Sequence, residues 1–125
     1  MNQLTREFKA GALALAPLTP TIGVEISGLD LSRPLDQRTL ADLRQALLDW
    51  KVIFFRDQDI TTEQHLAFAR SFGDLEIHPF APSKPGYPEV LAITHDDKSK
   101  GRENVWHSDV TWRETPSLGS VLRAI

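Results

Sequence analysis

The sequence predicts an α+β fold in which two capped amphipathic helices alternate with short segments of β character. Three observations carry the prediction. Residues 21–26 (TIGVEI) place Ile22, Val24 and Ile26 at every second position, the period of a half-buried strand. Asp36 and Thr61 each head a run whose apolar residues recur at helical spacing. Residues 52–55 (VIFF) form a wholly apolar run too short to be a helix of its own.

In chain order, residues 1–16 read as a loosely attached, flexible arm, and residues 17–125 as the amino-terminal part of one domain. Arg6 and Lys9 before GALALAPL imitate a signal peptide faintly, but the apolar part is short and rich in Ala and Gly, so a cytoplasmic protein is expected. After the strand at 21–26 the chain turns over residues 27–30. Asp36 then caps a helix by accepting from its free N–H groups, while Leu35 and Leu40 have the spacing of a hydrophobic staple. Leu40, Leu43, Leu47 and Trp50 form the apolar stripe of that helix. The VIFF segment follows at once and is expected to be a central strand covered on both faces. Thr61 and Gln64 have capping-box spacing at the head of a second helix, with Leu66, Ala69 and Phe72 facing inward and Gly73 ending it. Prolines 79, 82, 85 and 88 then mark a change to turns, followed by a strand at residues 90–93 and a polar loop over residues 95–104. Residues 119–125 read as an unfinished strand, and no linker divides the chain in two.

Composition narrows the function classes. The 125 residues are 41% hydrophobic and 25% charged, within the range of one globular domain. The 14 basic and 17 acidic residues leave a net charge of −3 with no basic stripe, which argues against nucleic acid as a partner. No apolar run approaches the roughly 20 residues that a bilayer-spanning helix requires. With no cysteine, disulfides, thiolate zinc sites and cysteine nucleophiles are excluded together, so any metal must be held by His, Asp or Glu.

Residues 104–115 (NVWHSDVTWRET) are the most informative stretch, because His107 and Asp109 stand two apart in an extended, β-branched context. In extended chain such positions point to the same side, so one imidazole and one carboxylate can converge on a single ion. This is the local half of a 2-His-1-carboxylate facial triad, a donor set that suits Fe(II) and leaves positions for other ligands. His-x-Asp alone is a short pattern that arises by chance, and Ser108 with Asp109 could simply form a turn. Trp106 and Trp112 on either side are expected to wall a dry pocket around the polar pair.

Four separate matches in order, the last of them this segment, carry a family resemblance. The order I-G-x-x-I-S-G-x-D-L at residues 22–31, V-I-F-F-R-D-Q at 52–58, F-G-x-L-x-x-H-P at 72–79 and W-H-S-D-V-T at 106–111 resembles taurine dioxygenase and its relatives among the alkylsulfatases, members of the TauD/TfdA family. The resemblance covers residues 18–125. It implies a jelly-roll, double-stranded β-helix with flanking helices, incomplete in this chain. It also implies an Fe(II)- and 2-oxoglutarate-dependent dioxygenase of sulfur metabolism that uses O₂ to hydroxylate a small organic acid. The products are then succinate and CO₂, with sulfite or sulfate and an aldehyde from the substrate.

The same resemblance distributes roles residue by residue. His107 and Asp109 match the metal ligands, His78 matches the histidine that contacts the anionic head of the substrate, and Val110 matches a residue lining its pocket. The third metal ligand, a distal histidine, and the groups that hold 2-oxoglutarate are expected beyond Ile125, so weak iron binding and no turnover are expected of these residues alone. Half a jelly roll leaves open edges, so this part is expected to pair with another copy in a homo-oligomer, rest against residues beyond it, or be poorly ordered. Two positions depart from taurine dioxygenase: Ala81 stands where a tyrosine is expected and Glu103 where an asparagine is expected. An acidic Glu103 would repel a sulfonate, which leaves other sulfonates, alkyl sulfates and carboxylated acids open as substrates. Two other readings are a non-catalytic module of the same fold, separable by iron titration, and a hydrolase built on Ser108, His107 and Asp109. The hydrolase reading is disfavoured because neighbouring side chains diverge and no G-x-S-x-G elbow is present. His65 and His95 read as ordinary surface or packing residues.

Overall fold

The structure, a computed structural model, describes residues 8–11, 13–94 and 106–125. The chain forms two compact units, Met1–Gly73 and Asp74–Ile125, where the sequence reading expects a single undivided domain. All of the fully buried side chains among the described residues belong to the first unit.

The first unit is built on a four-stranded sheet of order β1-β2-β3-β4: β1 (Phe8–Ala10), β2 (Leu13–Pro17), β3 (Val24–Ser27) and β4 (Ile53–Phe54). Strands β1, β2 and β3 are antiparallel neighbours, with Leu15 opposite Ile26 and Pro17 opposite Val24. Residues 8–10 and 13–17 are strand rather than the flexible arm expected over residues 1–16; residues 1–7 and 12 lie outside the described residues. In L-A-L-A-P the leucines alternate with small residues, so one face of β2 carries Leu13 and Leu15, fully buried against Val24 and Ile26. Burying each of these side chains contributes about 1.5–3 kcal/mol, which together with the strand hydrogen bonds offsets the entropy of ordering the segment. Strand β3 begins at Val24, three residues later than the strand predicted at residues 21–26. Thr19 Oγ1 accepts from Ile22 N–H at 2.9 Å, which folds residues 19–22 into a turn and leaves Ile22 exposed.

Helix α1 (Gln37–Trp50) connects β3 to β4, which run parallel with Val24 opposite Ile53. Asp36 caps it as the sequence predicts, its carboxylate accepting from Thr39 N–H at 2.7 Å. The face it buries is centred on Thr39, Leu43 and Ala46, with Leu40, Leu47 and Trp50 half-buried beside it. Lys51 closes the helix in the left-handed region at φ 65°, and its N–H reaches Leu47 O. Strand β4 is at the edge of this sheet and covers two residues; Val52 and Phe54 are about two-fifths exposed, so the expected central strand buried on both faces is corrected. An apolar run alone does not distinguish a central strand from an edge strand whose aromatic rings lie against a helix.

Helix α2 (Thr62–Arg70) has the full capping box: Gln64 N–H donates to Thr61 Oγ1 and Thr61 N–H donates to Gln64 Oε1. It buries Leu66 and Phe68, and the Phe68 ring meets Phe55 and Phe72 edge-on at 5.5 and 5.4 Å. The core thus joins β2, β3, α1 and α2 through Leu13, Leu15, Val24, Ile26, Leu43 and Phe68.

The second unit holds a two-stranded antiparallel sheet, β5 (Ser83–Lys84) with β6 (Tyr87–Leu91). Strand β6 lies earlier than the strand expected at residues 90–93. The unfinished strand expected at residues 119–125 is not a strand, and these residues are mostly exposed. The polar loop expected over residues 95–104 lies outside the described residues. Among the described residues no helix is long and apolar enough to cross a membrane.

Candidate metal centre

All four residues singled out by the sequence, His78, His107, Asp109 and Val110, fall in the second unit. Three of them belong to one short loop. Residues 106–110 adopt no strand, so the extended backbone expected to carry the pair is not found; His107 Nε2 nevertheless lies 3.4 Å from Asp109 Oδ1. Both side chains reach solvent, with 59% and 69% of their surface exposed, so the pair is accessible to an ion from outside.

The next residue, Val110, has φ 52°. A β-branched side chain in the left-handed region crowds its own backbone and costs about 1–3 kcal/mol, and such residues concentrate where a loop must take one particular course. Here the turn is closed by Arg113 N–H donating to Val110 O at 3.3 Å. The loop therefore reverses direction immediately after Asp109.

The fit of this pair to a metal can be tested on its geometry. Two donors, each about 2.1 Å from one ion and at right angles, stand about 3.0 Å apart. The observed separation exceeds that by a few tenths of an ångström, which a rotation of either exposed side chain would close. Imidazole and carboxylate are donors that iron(II) accepts. Among the described residues no group of three or more His, Asp or Glu side chains is assembled around one point, so the pair supplies two donors and no more.

His78 occupies a different kind of position. Its Nδ1 accepts from the backbone N–H groups of Phe80 and Ala81 at 3.2 and 3.0 Å, which shapes residues 78–81 into a tight turn. A ring nitrogen that accepts carries no proton, so in the neutral imidazole the hydrogen resides on Nε2, which is left as a donor. This is the chemistry an anionic oxygen requires. The ring is half-buried beside Phe80, whose own ring approaches Trp112 at 6.4 Å.

Two expectations are corrected here. Trp106 is fully exposed and Trp112 is 69% exposed, so neither walls a dry pocket around the pair in this chain. No described residue of the second unit is fully buried, and flanking indoles cannot exclude water without a surface to close against. His65 is on α2 in the first unit, while His95 and Glu103 lie outside the described residues. Sequence reasoning did not find Glu76, which meets both Arg113 and Ser117. Only an acid and a base 37 positions apart (113 minus 76) could have signalled the ion pair, and such separations occur everywhere by chance.

Residues 14–125 match the family model described as taurine catabolism dioxygenase TauD, TfdA family. The chain belongs to that family. Among curated proteins it is 40% identical to the alkylsulfatase of Acinetobacter baylyi, over 90% of this chain and 35% of that protein. It is 37% identical to the alpha-ketoglutarate-dependent sulfate ester dioxygenase of Pseudomonas putida, over 90% of this chain and 37% of that protein. A solved taurine dioxygenase from Burkholderia xenovorans superposes with a TM-score of 0.61 at 42% identity, covering 67% of this chain and 32% of that one. The TauD, TfdA resemblance read from four short motifs is thereby borne out. The chain spans little more than a third of the length of these curated relatives.

Proposed function

We propose that this chain carries the His-x-Asp half of the active site of an Fe(II)- and 2-oxoglutarate-dependent dioxygenase that hydroxylates a small sulfate ester or sulfonate. One observation supports the reading: in a TauD, TfdA family chain His107 Nε2 and Asp109 Oδ1 lie 3.4 Å apart on one solvent-exposed loop. In this reading His107 Nε2 and Asp109 Oδ1 hold the metal, and Val110 lines the substrate pocket next to them. His78 donates its Nε2 hydrogen to the anionic sulfur group, and the amides of Phe80 and Ala81 keep that hydrogen on Nε2. Ala81 leaves space where a tyrosine would fill it, which suits the longer organic chain of an alkyl sulfate. The proposed architecture of the whole domain is the jelly roll, with the helices of this chain at its flank.

When bound, iron with 2-oxoglutarate and O₂ supplies the oxidation that places a hydroxyl on the carbon next to the ester oxygen or the sulfur. Such an adduct breaks down to an aldehyde with loss of sulfate or sulfite. The contribution of these residues is to hold the metal by two donors, fix the anion and orient the reacting carbon.

The reading is tested by following succinate formation by the full-length protein with Fe(II), 2-oxoglutarate and a series of alkyl sulfates and sulfonates. Alkyl sulfates are expected to be turned over faster than taurine, and His78→Ala is expected to raise KM for them about tenfold, the loss of one hydrogen bond to a charged group. Succinate formation that no organic sulfate or sulfonate stimulates would refute the assignment.

A further inference from the structure

The second unit lacks the means by which the first is held together. With no described residue fully buried between Asp74 and Ile125, its segments are located by directed contacts rather than by a shared apolar core. Two of those segments matter for the proposed site: residues 76–81, which carry His78, and residues 107–117, which carry His107, Asp109 and Val110. Glu76 connects them. One of its carboxylate oxygens meets Arg113 Nη1 and the other accepts from Ser117 Oγ, so both are engaged by the opposite segment. About a third of each side chain of the Glu76 and Arg113 pair is exposed, which weakens solvent screening relative to an open surface pair. The aromatic contact between the same segments, Phe80 with Trp112, joins rings that are 84% and 69% exposed and covers little apolar surface. Arg113 also lies over the Trp112 ring at 5.1 Å, so the cation that Glu76 holds is stacked on that aromatic contact.

We infer that Glu76 is a positioning residue. By holding Arg113 and Ser117 it sets the separation between the His78 turn, which begins two residues later, and the loop that presents His107 and Asp109. Glu76 touches neither metal nor substrate in this account and acts through His78. The inference rests on the roles proposed above for His78, His107 and Asp109.

The first measurement requires neither metal nor substrate. In amide spectra of this chain, Glu76→Ala and Arg113→Ala are each expected to shift the Phe80 and Ala81 resonances, whose N–H groups bond His78. The double variant is expected to shift them no further than either single variant. Unmoved Phe80 and Ala81 resonances in both single variants would overturn the inference even if the protein proved to have another activity. The second measurement uses the full-length protein. Glu76→Ala is expected to raise KM for the sulfur substrate about tenfold, with kcat and the KM for 2-oxoglutarate within about twofold of wild type. It is expected to have no further effect in a His78→Ala background. Exchanging the charges, Glu76→Arg with Arg113→Glu, is expected to recover most of the lost affinity, which general unfolding would not allow. Equal losses in the presence and absence of the His78 ring, or no recovery on charge exchange, would overturn the positioning role.

Discussion

Gln58, the last residue of V-I-F-F-R-D-Q, offers a quantitative test of why that motif is built as it is. Its carboxamide accepts from Leu31 N–H at 2.9 Å and donates to Leu29 O at 3.1 Å and to Arg56 O at 3.0 Å. One half-buried side chain thereby fastens the loop after β3 to the loop after β4 and holds Leu31, only 7% exposed, in the core. Three net hydrogen bonds at about 0.5–1.5 kcal/mol each set the scale. The Arg56 contact is open to water, so about 2 kcal/mol is expected on Gln58→Ala. Urea denaturation followed through fluorescence reads it directly, since Trp50 is half-buried in the same unit whereas Trp106 and Trp112 are already largely solvated. Gln58→Glu is the sharper perturbation: it keeps an acceptor for Leu31 but turns a carboxylate toward two carbonyl oxygens. It is expected to be at least as destabilising as Gln58→Ala at neutral pH, and to recover relative to wild type as the pH falls toward about 4, because the two carbonyl oxygens raise the new carboxyl's folded pKa above its ordinary value and it takes up its proton early. A Gln58→Ala midpoint indistinguishable from wild type would refute the fastening role.

Two further outcomes test the helix caps. Thr61→Ala removes one arm of the capping box on α2 and is expected to cost about 1 kcal/mol in the same denaturation assay. The Asp36 carboxyl is held below its ordinary value of 3.8 by the N–H of Thr39. A depressed carboxylate contributes its stability above the unfolded value and loses it as the pH falls through the lower folded value. The stability difference between wild type and Asp36→Ala is therefore expected to be constant above about pH 5 and to shrink below pH 3.8. A difference that grows on acidification would show that the carboxylate is not what caps α1.

The parts of this molecule that could be read in advance are those whose cause is local. Asp36 with Thr39, and Thr61 with Gln64, satisfy orphan N–H groups within one helical turn, so the helix starts were visible in the sequence. The closeness of His107 and Asp109 spans a single intervening residue, although a loop rather than the expected extended chain brings them to 3.4 Å. What failed depends on distant partners. Leu13 and Leu15 became core because β3 lies alongside them, and nothing within L-A-L-A-P announces that neighbour. VIFF reads identically whether β4 is central or at an edge, since an apolar run does not record what lies beyond it. The dry walls assigned to Trp106 and Trp112 likewise needed a surface opposite them.

The account turns on whether two side chains from one loop share an ion, and metal titration of the full-length protein measures that most directly. Mn(II) can stand in for Fe(II) in air and be followed by the loss of its free electron-spin signal. His107→Ala and Asp109→Ala are each expected to lower the affinity by at least about tenfold, by analogy with the smallest losses seen on removing even a supporting group from a metal site. Affinities within about twofold of wild type in both variants would contradict it.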